Sequence, residues 1–357
     1  MTISKALPRL FIAALAFGAG PALAQTVEDP ALMARGQYLS IAGDCGACHT
    51  ATKDKPFGGG LPLSTPLGEI FSTNITPSTT AGIGNYSLEE FDRAVRHGER
   101  KDGRNLYPAM PYTSYATITD YDLKALYTYF MHGVDPVDEE PSRTRLPFPF
   151  NLRFTMKAWN LIFARGAPFQ NDPTRSEEWN RGAYLSQSLA HCSTCHTPRN
   201  FLMAEEEGKA LAGASLGTWF APNITSDPID GIGVWSISDI TAYLSTGRSP
   251  TGSQAGGPML EAINNSLSQL HDRDITAIAT YIHDVAPQPM NASPPPNECR
   301  SNGISDHGLC SGRGYSICRR DALWRSLRDM PSVEWRGPQR STGNVWQRGS
   351  EPSPDSR

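Results

Sequence analysis

Beyond its first two dozen residues this 357-residue chain has no run of the roughly 18 uninterrupted apolar residues that a membrane-crossing helix needs. Charge is sparse. Against 36 Asp and Glu stand 32 Lys and Arg, a formal net charge of −4, and this balance gives no sign of a nucleic-acid partner. Cysteine numbers 7, and neither C-x-x-C pair is followed by a second ligand pair at zinc-finger spacing, which argues against a structural zinc site. A thioredoxin-like redox pair would sit in a βαβ pattern and would not need the histidine that follows each pair here. With 32 Gly and 29 Pro, the composition fits loop-rich domains whose cores are completed by a cofactor rather than by large sheets.

What the chain does have is Cys45-Gly46-Ala47-Cys48-His49 and Cys192-Ser193-Thr194-Cys195-His196. C-x-x-C-H is the attachment sequence of a c-type haem. Each thiol can add to a vinyl group, and the histidine can bind the iron as proximal ligand. On a helix, positions i, i+3 and i+4 share one face, so both sulfurs and the imidazole can address one macrocycle. Two covalent haem c groups are therefore expected, on Cys45, Cys48 and His49 and on Cys192, Cys195 and His196. The N-terminus agrees. Lys5 and Arg9 precede an apolar stretch from Leu10 to Phe17, and Ala22-Leu23-Ala24 forms an A-x-A cleavage site. Residues 1–24 are expected to be a cleaved signal peptide, and the mature chain to be exported.

The chain repeats itself. Gly36-Gln-Tyr-Leu39 recurs as Gly182-Ala-Tyr-Leu185, Asn74-Ile-Thr76 as Asn223-Ile-Thr225, and Gly82-Ile-Gly84 as Gly231-Ile-Gly233. The offset is 147 residues at the cysteines and 149 further on. Each copy reads as mostly helical. A helix over Asp29 to Leu39 leads to the first haem motif. Ser87-Leu-Glu-Glu90 is a capping box before Leu88, Phe91 and Val95, with Gly98 as stop; Ser236-Ile-Ser-Asp239 precedes Ile237, Ile240 and Leu244, with Gly247 as stop. The last helix starts near Thr119, presents Leu123, Leu126 and Phe130, and stops at Gly133; its partner presents Ile275, Ile278 and Ile282. Gly36 and Gly182 lie inside helices at a cost of about 1 kcal/mol relative to Ala, which points to close helix–helix contact. Between the copies, Leu152 to Phe163 has the composition of one amphipathic helix, either packed on its own chain or presenting a docking surface.

The repeat also selects candidate sixth ligands. Met110 lies 61 residues after His49, and Met259 lies 63 after His196, each beside a proline and each expected in a loop between the two later helices. Met131, Met203 and Met290 lack counterparts in the other copy. His97 reads as a helix-end group with a haem-propionate contact as the sharper option. Tyr86 and Trp235 occupy matching positions and are either core or propionate donors.

On these residues the chain resembles the cytochrome c subunits of membrane-associated bacterial dehydrogenases, those serving alcohol, gluconate, sorbitol or fructose dehydrogenases and the molybdenum-type aldehyde or N-heterocycle oxidoreductases. The stretches that carry the resemblance are Ser72-Thr-Asn-Ile-Thr-Pro77, Ala94-Val-Arg-His-Gly98, Leu106-Tyr-Pro-Ala-Met-Pro-Tyr112, Ala125-Leu-Tyr-Thr-Tyr129, Cys195-His-Thr-Pro-Arg199 and Glu178-Trp-Asn-Arg-Gly-Ala-Tyr184. The resemblance implies a mainly α protein: two tandem class I cytochrome c-like haem domains at 28–134 and 176–287, joined by a linker at 135–175. It implies His49/Met110 and His196/Met259 as axial pairs. It also implies a periplasmic electron carrier, peripheral to the inner membrane, between a catalytic dehydrogenase subunit (quinoprotein, flavoprotein or molybdenum type) and membrane quinone or another acceptor. The family has a third haem module, whereas residues 288–357 hold Cys299, Cys310 and Cys318 outside any haem motif, and residues 298–357 hold 10 of the 25 arginines and no lysine. That tail reads as irregular: a shifted reading frame, a replaced segment or a genuine short disordered extension. Two alternatives remain open here: a dihaem enzyme with an open, peroxidase-like haem site, and a truncated relay.

Overall fold

The computed structural model describes residues 29–65 and 67–289, all within one compact unit. The expected signal peptide and the tail beyond residue 289 lie outside the described residues. Helix α1 (Pro30–Ala42) starts where expected: Asp29 accepts from the Ala31 amide at 2.9 Å, and Pro30 supplies the fixed φ that suits a first helical position. It runs three residues past Leu39 and leads into α2 (Cys45–His49). A hairpin of β1 (Pro62–Thr65) and β2 (Gly68–Phe71) follows. Helix α3 (Leu88–His97) opens on the Ser87/Glu90 capping box and closes at Gly98, whose φ of 62° is the left-handed conformation glycine takes without penalty. Next come α4 (Tyr112–Tyr115) and α5 (Asp120–His132), the latter capped by Thr119.

Helix α6 (Phe154–Phe163) stands between the repeats. The second repeat then follows the same order: α7 (Glu177–Tyr184), continued by a π-type turn over Leu185–Leu189, α8 (Cys192–His196), and the hairpin β3 (Ala214–Leu216) with β4 (Trp219–Ala221). Helix α9 (Ile237–Thr246) is boxed by Ser236/Asp239 and stopped by Gly247 at φ 72°; α10 (Gly257–Asn265) and α11 (Asp272–Asp284) complete it. The architecture is mainly helical with two short hairpins among the described residues. Two positions differ from the expected apolar stripes. Leu88 and Ile237, each the first residue of its helix, are 37% and 36% exposed, while Phe91 and Ile240 one turn on are buried.

The glycines inside α1 and α7 are where helices touch backbone to backbone. A Cβ on Gly36 would lie 2.0 Å from the Ala125 carbonyl oxygen on α5; on Gly182 it would lie 1.8 Å from that of Ala277 on α11. Gly36→Ala or Gly182→Ala gains about 1 kcal/mol of helix propensity but forces two backbones apart, and overpacking of this kind costs about 3 kcal/mol. Each is expected to lower unfolding free energy by about 2 kcal/mol in urea denaturation.

The repeats meet along a reciprocal seam. Tyr38 on α1 donates to Asp274 of the second repeat at 2.6 Å, and Tyr184 on α7 donates to Asp122 of the first at 2.7 Å. Each buried carboxylate is also paired within its own repeat, Asp122 with Arg35 and Asp274 with Arg181. One apolar cluster contains Leu39 and Leu126 from the first repeat and Leu185 and Ile278 from the second. Helix α6 fastens the two from outside. Trp159 donates to the Leu202 carbonyl at 2.9 Å, and Asn160 accepts from Tyr112 at 2.8 Å.

Candidate haem sites

Both C-x-x-C-H motifs are short helices, and the residue before each is left-handed: Asp44 at φ 51° and His191 at φ 36°. The histidines are held alike. His49 Nδ1 donates to the Thr73 carbonyl at 2.6 Å and His196 Nδ1 to the Pro222 carbonyl at 2.7 Å. A carbonyl oxygen only accepts, so Nδ1 carries the proton and Nε2 keeps its lone pair free for a metal. Burial lowers the pKa of both imidazoles, which favours the neutral form a metal needs. The residue after each motif clamps the next loop: Thr50 accepts from the Phe57 amide and Thr197 from the Leu211 amide, both at 3.0 Å.

Among the described residues Cys45, Cys48, Cys192 and Cys195 form no disulfide. Burial pushes Cys45 and Cys192 up to about 12 and Cys48 up to about 11, and it raises Cys195 as well. They are therefore neutral, apolar groups at pH 7, unlike the acidified thiolates of redox catalysts.

In the second repeat the cavity is explicit. About 520 Å3 is enclosed by Cys192, Cys195, His196, Met259, Trp235 and Tyr243, among others. This is the size and largely apolar character of a cofactor site. Met259 does not lie in a loop as expected. It is in the first turn of α10, because Gly257 at φ 52° and Pro258 start a helix immediately before it. Trp219 packs so closely on Gly257 that a Cβ there would lie 2.4 Å from the indole. Met110 does precede a helix, within the turn closed by its amide on the Tyr107 carbonyl, and it packs against the apolar clusters of the first repeat and of α6. Met203 is 40% exposed on the surface, and Met290 lies outside the described residues. His97 is exposed, with its carbonyl accepting from Asn160 at 3.0 Å. The Tyr86 hydroxyl accepts from the Lys101 amide, whereas Trp235 faces the cavity and stacks edge-on with Tyr243. Asn74-Ile-Thr76 and its copy are clamps. Each asparagine accepts from its threonine and donates to the chain leaving the last helix, Asn74 to Val137 and Asn223 to Gln288.

A pair of thiols on one helical face, an imidazole with free Nε2, a thioether and a largely apolar pocket are the donor set of a covalently held haem. No family model matches the chain. Individual proteins do. The fructose dehydrogenase cytochrome subunit of Gluconobacter japonicus is 54% identical over 255 residues, 71% of this chain and 52% of that protein. The gluconate 2-dehydrogenase cytochrome c subunit of Pantoea cypripedii is 44% identical over 287 residues, 78% and 64%. A diheme cytochrome c-type protein of Cereibacter sphaeroides is 36% identical over 291 residues, 77% of this chain and 96% of that protein. This chain belongs to the family of cytochrome c subunits of bacterial dehydrogenases. It spans about half to two thirds of the length of the fructose, gluconate and alcohol dehydrogenase subunits it matches. In this cytochrome no described helix is long and apolar enough to cross a membrane.

Sequence reasoning missed the residues that join the two sites. Arg35, Tyr38 and Asp122, with Arg181, Tyr184 and Asp274, form the seam. Their signal is Arg-Gly-x-Tyr-Leu on the first helix of each repeat, and Asp120-Tyr-Asp122-Leu123 matched by Asp272-Arg-Asp274-Ile275 on the last. Asp44 was missed as well, although it borders the cavity of the other repeat.

Proposed function

We propose that this cytochrome is a periplasmic, dihaem electron-transfer subunit, exported with a cleaved signal peptide. It takes electrons one at a time from a catalytic dehydrogenase subunit and delivers them to membrane quinone or another respiratory acceptor. Cys45 and Cys48 would hold one haem, with His49 and Met110 as its iron ligands; Cys192 and Cys195 would hold the other, with His196 and Met259. A bound haem supplies reversible one-electron chemistry at its iron. The chain's own residues fix the ligands, keep water out and set the potential. The observation that carries this reading is the second-repeat cavity, where both thiols, the imidazole and Met259 border one apolar space. The diheme relative supports two haems in particular, since the match spans nearly all of that protein.

The competing reading is an enzyme with one open haem. Its test is carbon monoxide added to the reduced protein. With methionine occupying each sixth position, binding is slow and partial; rapid stoichiometric binding at either haem would favour the open-site enzyme.

Helix α6 supports docking of a partner. Phe154, Lys157, Ala158, Leu161 and Ile162 share its outward face, with exposed Arg165 just past its C-terminal end, and Phe154 and Leu161 are 72% and 75% exposed. That face and its C-terminal flank bear two cations, Lys157 and Arg165, and no acid on a chain whose net charge is −4. Phe154→Ser with Leu161→Ser is expected to leave haem loading and folding intact and to weaken reduction by the cognate dehydrogenase at least tenfold, read as the second-order rate of haem reduction. An unchanged rate would place docking elsewhere.

A further inference from the structure

Asp44 stands where the two sites meet. It immediately precedes Cys45 of the first motif, and together with Ala42 it forms part of the wall of the cavity bounded by Cys192, Cys195, His196 and Met259 of the second. Its backbone is left-handed, at φ 51° and ψ 31°, a conformation that aspartate tolerates better than most residues. The two repeats approach each other at this point. Tyr115 donates to the Gly43 carbonyl at 2.8 Å, and its ring lies edge-on to His191 with centroids 5.8 Å apart. Ser266 of the second repeat donates to the Ala42 carbonyl at 3.4 Å.

The carboxylate is unusually placed. Asp44 Oδ1 is buried without a hydrogen-bond partner among the described residues. Burial first, and then the charge of Glu261 on α10, push its pKa up to about 7. Its charge acts on both thiols of the first motif, adding to the burial that raises Cys45 and Cys48. The equivalent position in the second repeat is His191, which burial lowers to about 4 and leaves uncharged at neutral pH. The two pre-motif turns thus differ in charge: one carries the Asp44 carboxylate, the other an imidazole that is neutral at pH 7.

We propose that Asp44 is a shared tuning residue whose carboxylate lowers the reduction potential of both haems. The proposal rests on the dihaem reading. Adding an electron to iron near a fixed negative charge is disfavoured by Coulomb repulsion, and poor solvation inside the fold strengthens that effect. A group beside one thioether anchor and in the wall of the other site acts on both irons at once, so a single substitution moves both potentials in the same direction.

The test is a spectroelectrochemical titration of the dihaem protein and its Asp44→Asn variant at pH 9, where the carboxylate is ionised. The expected result is a rise in both midpoint potentials, each corresponding to about a tenfold change in the reduction equilibrium, or ~59 mV for one electron. Asp44→Glu keeps the charge and is expected to hold both potentials near those of the parent, which a merely structural role for the side chain would not require. With both haems loaded, a shift confined to one haem, or none, overturns the proposal. Haem loading is counted separately by protein mass. A parent with other than two haems would instead overturn the dihaem reading. If Asp44→Asn loads incompletely, Asp44→Ser is read in the same way, and failure of both to load would make Asp44 structural and overturn the tuning role.

Discussion

Met259→Ala is expected to lower the midpoint potential of one haem by on the order of 0.2 V, a fraction of the ~0.8 V range that axial ligands command, and to leave the other unchanged. Met110→Ala is expected to do the converse. The thioether is a soft donor that favours the ferrous state, so replacing it with water or a harder ligand stabilises the ferric form. The effect stays local because each methionine belongs to its own repeat: Met259 borders the second cavity from the first turn of α10, and Met110 sits in the turn before α4. Each variant should lose the near-infrared methionine–iron absorption of one haem. Spectra in which both bands survive would reject these ligands.

The largest expected loss of stability is at the seam. Asp274 is 2% exposed and accepts from Arg181 at 3.0 and 2.6 Å and from Tyr38 at 2.6 Å. Asp274→Ala leaves the Arg181 guanidinium without its anion and the Tyr38 phenol without its acceptor, and is expected to cost about 3–5 kcal/mol in urea unfolding. Asp122→Ala should cost less, about 2 kcal/mol, because its partner Arg35 is 38% exposed and water can rehydrate it. A pH dependence follows. Burial by itself would raise the pKa of Asp274, but the hydrogen bonds from Arg181 and Tyr38 outweigh it and hold the carboxyl below its usual range. A folded-state pKa below the unfolded value of about 3.9 contributes stability in full above that value and loses it as pH falls through the folded one. The stability gap between the parent and Asp274→Asn should therefore be widest at neutral pH and narrow below about pH 4. A gap constant from pH 7 to pH 3 would contradict this ion pair.

Much of the helical frame was legible because it is written in local chemistry. Ser87 with Glu90 and Ser236 with Asp239 are capping boxes within four residues of sequence, and Gly98 and Gly247 end their helices by the conformation only glycine takes freely. Gly36 and Gly182 announced close helix contact because a glycine in a helix interior is costly unless something needs the space. The cysteine and histidine positions were legible as a motif, and duplication directed attention to Met110 and Met259. The helix around Met259 was not, because two glycines and a proline precede it in sequence, and the packing of Trp219 from the hairpin on Gly257 at the start of α10 is a contact no local pattern shows. The seam escaped for a different reason. Tyr38 with Asp274 and Tyr184 with Asp122 are separated by 236 and 62 residues, and neither partner carries a local signature of burial. Asp44 escaped likewise, since bordering the other repeat's cavity is a property of how the copies pack and not of either copy.

If each repeat carries one covalent haem, the mass of the purified protein shows it. The expected mass is that of the polypeptide plus two haem groups, with proteolysis placing one on the peptide of Cys45 and Cys48 and the other on that of Cys192 and Cys195. Any other number of haems, or a haem on a peptide lacking those cysteines, would contradict it.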